Sequence, residues 1–170
     1  LFMITLSSIA LGAAFGGYLP LISLWLETLG ISFQKIGFVS GMAALGIVSS
    51  AYFAPQLVAR YGNIPVINIG LCLAAVMMVA LRFTESMTLW LSIRFIGGLG
   101  LGLHWVLTEA WLARIASNQG RTRVMAIYAT AIGLGFAAGP GIIWLFGFET
   151  IIPFLVIAIL PLIGALPIYA

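Results

Sequence analysis

The chain has 170 residues, 63% of them hydrophobic and 6% charged, with no aspartate and a formal net charge of +3. Mean hydropathy is +1.22. A soluble globular domain carries roughly 25% charged residues, so this composition excludes one and defines an integral membrane protein. The small positive surplus forms no basic patch with interleaved aromatics, which excludes a nucleic-acid surface. The lone Cys72 lies in an apolar run and can form no disulfide within the chain.

Six apolar segments of about 20 residues each, long enough to cross a bilayer, are predicted near 2–26, 35–58, 65–82, 88–112, 122–147 and 151–170. The runs are continuous rather than alternating, which makes them helices and not barrel strands. No signal peptide is visible. Because the chain begins at Leu1 and stops inside an apolar run, it reads as a piece of something longer.

The first segment carries Thr5, Ser8, Gly12, Gly16, Leu19 and Ser23 at spacings of three and four, a stripe suited to close helix packing. The second repeats the device with Gly37, Gly41, Ala44, Val48 and Tyr52, while Ser49, Tyr52 and Gln56 share a face of its later half. Pro55 is expected to end or bend this helix, and residues 59–63 to form a tight turn. The third holds Asn68 and Cys72. In the fifth, Gly135, Gly139 and Pro140 predict a bend within the span. The sixth has three prolines and almost no polar atoms, as a peripheral, lipid-facing helix would.

Polarity concentrates in the fourth segment and the loop after it. At about 100° per residue, Arg94, Gly98, Leu101, Trp105, Thr108 and Glu109 fall in one sector of the helix, with His104 at its flank. A charge inside an apolar span is costly, so Arg94 is either bonded to carbonyls of a neighbouring helix or faces a cavity where it attracts anionic groups. Glu109 is the only acid within a predicted span and lies roughly 22 Å along the helix axis from Arg94, too far to pair with it. Its nearer partners are Arg60, Arg114 and Arg121, and an ion pair among these would act as a gate. Glu109 or His104 could also carry protons. Trp105 and Tyr128 could stack on a solute.

Arg60, Arg114, Arg121 and Arg123 all fall on one side of the membrane, unaccompanied by acid. Lys35 and Arg82 share the other side with Glu27, Glu85 and Glu149. The first side, which also holds both ends of the chain, is therefore expected to be cytoplasmic.

Three short patterns resemble those of the major facilitator superfamily. After helix two, the stretch Pro55 to Ile64 keeps the family's Leu57, Arg60 and Gly62 but has Ala59 in place of its aspartate. Helix four matches at Leu91, Arg94, Gly98 and Gly100. Helix five matches at Gly135, Gly139 and Pro140, with Ile143 and Trp144 where further glycines belong; this pattern resembles that of proton-coupled antiporters. The succession WVLTEAWLARIASNQGRTRVMAIY is similar to the YcaD-like bacterial branch.

The resemblance implies an all-α membrane protein in which residues 1–170 form the amino-terminal six-helix half of a twelve-helix transporter, built from two inverted three-helix repeats. It implies alternating-access transport of a small organic solute, with protons coupled to export, in the bacterial inner membrane. The partners expected are the solute, protons, the lipid bilayer and a carboxy-terminal six-helix half, with no cofactor and no metal. On this reading Arg94, His104, Trp105, Thr108, Tyr52, Gln56 and Tyr128 form the solute and coupling site. Arg60, Gly62, Glu109, Arg114 and Arg121 form the cytoplasmic gate. Alternatives are uptake of a metabolite or sugar-like solute, and a non-transporting six-helix binding or sensing subunit.

Enzyme readings lack their residues. The single histidine has no acid placed to orient it, no Cys/His cluster is present, and the glycines of 97–102 lie inside a helix and cradle no phosphate.

Overall fold

The computed structural model describes residues 2–115 and 120–165. In chain order the elements are α1 (Phe2–Thr28), α2 (Phe33–Tyr61), α3 (Asn63–Ala80), a single 3-10 turn (Leu81–Phe83), α4 (Met87–Ile115), α5 (Arg121–Ala138), α6 (Pro140–Phe146) and α7 (Ile152–Ala165). There is no strand among the described residues. Five stretches are long and apolar enough to cross a membrane: Thr5–Thr28, Phe33–Tyr61, Asn63–Phe83, Met87–Arg114 and Thr122–Phe146. The sixth expected span appears as the shorter apolar helix α7.

Several boundaries move. Helix α2 runs through Pro55 to Tyr61, because the proline removes a single backbone donor and the helix recovers beyond it. The tight turn expected over 59–63 shrinks to Gly62, whose φ of 84° is a left-handed value open to glycine. Its N–H donates to Val58 O at 2.8 Å, closing α2, and α3 begins at the next residue.

The chain forms two compact units, residues 1–29 with 111–170 and residues 30–110, so α4 begins in the second and ends in the first. In the first unit α1 is the common partner of α5, α6 and α7. The small stripe of α1 is its packing surface against α5. A Cβ placed at Gly12 or Gly16 would run into the backbone of Ile132 or Phe136, and one at Gly135 into that of Ile9. Gly139 likewise lies against the backbone of Gly16 and Gly17.

The expected break in the fifth segment is a single residue wide. Gly139 separates α5 from α6, and its N–H donates to Gly135 O at 2.9 Å and to Phe136 O at 3.3 Å. Pro140 has no N–H of its own to offer the preceding turn, so the glycine's donor covers that carbonyl. Helix α7 presents two faces: Phe154, Ile157 and Ala158 are buried, with Phe154 edge-on to Trp25 at 5.7 Å, while Leu155, Ile159 and Ile163 are exposed.

In the second unit the glycines of 97–102 are seams on both sides of α4. Towards α2, Gly98 lies against Ala43, Gly46 against Phe95 and Leu99, and Gly102 against Ile47 and Ser50. Towards α3, a Cβ at Gly70 would lie 2.6 Å from Gly100 O, and one at Gly97 would lie 3.2 Å from Met77 Cβ. Trp90, almost fully buried, fastens the start of α4 by donating its indole N–H to Thr84 O at 2.8 Å.

Because these contacts are to backbone, an added side chain has nothing flexible to displace. Gly98→Val and Gly135→Val are each expected to cost about 1–3 kcal/mol, the range of overpacked cores. The thermal transition of the detergent-solubilised full-length protein measures the loss.

Candidate functional site

The candidate site is built on α4 where it packs against α2. Arg94 is 1% exposed, and its Nε donates to Val39 O of α2 at 3.3 Å. The seam created by Gly46 and Gly98 brings α2 close enough for this bond, which gives the guanidinium a backbone acceptor in a span with no acid at its depth. The guanidinium therefore ties two helices together in this conformation and has almost no open surface.

Two pairs of polar side chains follow on α4, the members of each four residues apart. In the first, Trp105 Nε1 donates to Glu109 Oε1 at 2.8 Å, a charge-assisted bond between two partly buried side chains. In the second, His104 and Thr108 are both buried, and neither His104 Nδ1 nor Thr108 Oγ1 has a hydrogen-bond partner among the described residues. Leu103, Leu107 and Leu112 are buried on the same stretch, so these polar atoms sit in an apolar setting.

The α2 residues behave differently. Tyr52 is 72% exposed and stacks edge-on against Phe53 at 5.2 Å, and Gln56 is also exposed. Both lie beyond an open apolar groove of about 430 Å³ lined by Gly37, Phe38, Gly41, Ala44, Leu45 and Val48. Ser50, absent from the sequence-based set, is completely buried against Gly102 and donates its hydroxyl to Ile47 O at 2.6 Å. Its only signal in the sequence was a small hydroxyl residue at helical spacing from Gly46.

Among the expected gate residues, the Arg60 guanidinium lies 5.3 Å from the Tyr61 ring centroid, beside Gly62. Arg114 is exposed near the end of α4, and the side chain of Arg121 lies outside the described residues. Among the described residues no ion pair joins Glu109 to Arg60 or Arg114; its recorded partner is the Trp105 indole. In the first unit, Tyr128 is buried on α5, the helix that leads into the Gly135–Gly139–Pro140 break. No group of three or more metal-ligating side chains occurs among the described residues.

Residues 4–170 match the family model described as Major Facilitator Superfamily. The chain is 29% identical over 145 residues to an uncharacterized MFS-type transporter, YfkF, of Bacillus subtilis, covering 85% of this chain and 37% of that protein. It is 28% identical over 125 residues to a multi-drug resistance efflux pump PmrA homolog of Lactococcus lactis, covering 71% of this chain and 31% of the relative. The uncharacterized MFS-type transporter YcaD of Salmonella enteritidis is 28% identical over 119 residues, 70% of this chain and 31% of that protein. The chain thus spans about a third of the length of these relatives.

Truncating Arg94 would remove a charge-assisted bond and leave a cavity between two helices. Arg94→Ala is expected to destabilise the protein by about 2–4 kcal/mol. Arg94→Lys, which keeps the charge but loses the planar Nε donor, should fall between this variant and the parent in a detergent melting series.

Proposed function

The chain belongs to the major facilitator superfamily, and from that premise we propose that it is the amino-terminal half of a secondary transporter exporting a small organic solute in exchange for protons. The observation that carries this reading is the run of polar side chains on α4, Arg94, His104, Trp105, Thr108 and Glu109, kept inside a membrane span where each is costly unless used. Outward direction is favoured by the likeness to a relative named as a multi-drug resistance efflux pump. The α5 pattern ending in Gly139-Pro140 points the same way.

In this mechanism the cavity lies between this bundle and a second one. Tyr52 and Gln56 on the open face of α2 meet the solute, with Tyr128 a further contact, and Arg94 supplies positive potential from behind the α2 backbone. Glu109 exchanges partners: it is held by Trp105 in the conformation described and by the arginines Arg60, Arg114 and Arg121 when the cytoplasmic side closes. Those arginines face the cytoplasm, as the excess of positive charge on that side requires, and the protein resides in the bacterial inner membrane.

Each unit separately leaves small residues open to a further helix. Gly37 and Gly41 on α2, and Gly133 and Gly141 on α5 and α6, meet nothing within 4 Å, whereas the glycines of the seams touch a neighbour's backbone. Small residues left open at membrane depth suit closely approaching helices. We assign these faces to the carboxy-terminal six-helix half of the same protein.

Proton-driven efflux and solute counterflow, measured on full-length protein in proteoliposomes, separate the roles. Glu109→Gln should slow efflux and counterflow alike, at least tenfold, since every cycle passes through the closed gate, and Gln56→Ala should weaken solute binding in both assays. Unchanged rates of Glu109→Gln in both assays would remove Glu109 from the gate. For the proposed interface, Gly41→Leu should abolish transport while leaving the folded yield of residues 1–170 expressed alone unchanged; retained transport would clear that face of the second half.

A further inference from the structure

Hydroxyls on these helices generally bond to their own backbone. Ser23 donates to Leu19 O, Thr28 to Trp25 O, Ser49 to Leu45 O, Ser50 to Ile47 O and Ser92 to Thr88 O, at 2.6 to 3.1 Å. Back-bonding of this kind is the easiest way for serine or threonine to satisfy itself in a helix. Thr108, 8% exposed in the last third of α4, does not use it, and one turn earlier His104 Nδ1, 3% exposed, is also without a partner among the described residues. Leaving one buried polar atom unsatisfied is costly, and here two lie on adjacent turns of one helix.

We propose that His104 and Thr108 together form a buried subsite for one small, neutral hydrogen-bonding group: a water molecule or a hydroxyl of the solute. The chemistry of the two side chains selects that class. A threonine hydroxyl donates and accepts, and a neutral imidazole nitrogen does one or the other according to its tautomer, so the guest must be able to do both. A hydroxyl meets that requirement with either tautomer. A bare cation or anion would be desolvated among Leu103, Leu107 and Leu112 with no opposite charge recorded at the pair. Glu109 in the neighbouring pair is engaged by Trp105. The carbonyl of His104, which Thr108 leaves unclaimed by its hydroxyl, offers a third contact, and two to four polar partners are what a buried water requires.

The water arm of this proposal stands on α4 alone; only the solute arm rests on the transport reading. The test uses full-length protein in nanodiscs, with thermal unfolding as the readout, so it gives an answer even for a protein that transports nothing. Thr108→Val removes the hydroxyl at nearly constant volume and Thr108→Ser retains it. With a guest bound, Thr108→Val lowers the melting temperature by ~2 °C or more and Thr108→Ser restores most of it. Combining Thr108→Val with His104→Phe should then cost less than the sum of the two single changes, since both remove the same guest. Adding chloramphenicol, a neutral solute with two hydroxyls, distinguishes the sources. An unchanged valine penalty assigns the subsite to water, and a larger one assigns it to a solute hydroxyl. An unchanged or raised melting temperature for Thr108→Val, or strict additivity with His104→Phe, would overturn the proposal.

Discussion

Backbone-to-backbone contact at glycine is the interaction on which the remaining structure depends. Lipid tails are as apolar as leucine, so two helices in a bilayer gain little from the hydrophobic effect and must win dispersion contacts that lipid cannot match. Close approach supplies them, and it requires turns that carry no Cβ. In the first unit the pairing of Gly12 and Gly16 with Gly135 and Gly139 provides such turns. In the second, α4 carries glycines towards both neighbours, Gly98 and Gly102 towards α2 and Gly100 towards α3. The helix is thereby fixed between them by shape before any polar bond is made.

Arg94 shows what that approach permits. An arginine in the middle of a span needs an acceptor at its own depth, and the described span around it offers no carboxylate there. The seam at Gly46 and Gly98 brings the carbonyl of Val39 within 3.3 Å, so the acceptor for the Arg94 Nε comes from the backbone of another helix. Glu109 solves the converse problem locally, through an indole one turn away on the same helix. Arg94 and Glu109 are therefore held by different means: Arg94 depends on helix packing, whereas Glu109 can leave Trp105 without disturbing any helix contact. That asymmetry suits Arg94 to a fixed role and Glu109 to a changing one.

The number and rough extent of the spans were legible because hydropathy and length report them directly. The α1 stripe was legible as packing for the same reason. The identically spaced α2 stripe of Gly37, Gly41 and Ala44 turned out to face an open groove, because spacing records that a helix can be approached closely and not what approaches it. Pro55 was misleading as a helix end, since one missing donor is cheap to absorb in a helix held from the side by Ala43, Gly46 and Ser50. The i, i+4 spacing of Trp105 and Glu109 was visible in the sequence, but the bond between them needed rotamers to reveal it. That Arg94 bonds a carbonyl of a neighbouring helix was one of two readings open in the sequence, but Val39 as the partner could not be read, since every residue carries a carbonyl and only the fold decides which one comes near.

Seams made of backbone contact have a mechanical consequence. Where glycine lies directly against a neighbouring helix, sliding or tilting either helix brings rigid main-chain atoms into collision, and no side chain can rotate to relieve it. Each unit is therefore stiff along its own seams, and displacement is easier at faces where larger, rotatable side chains such as Phe38, Leu45, Val48 and Tyr52 stand exposed. The same reasoning explains the arrangement of polar groups. Arg94 is bonded across a seam and belongs to the part that moves as a body, whereas Tyr52 and Gln56 lie on a face that no seam constrains. Side chains on that face can change rotamer without disturbing a seam, while the buried charge of Arg94 stays where the seam holds it.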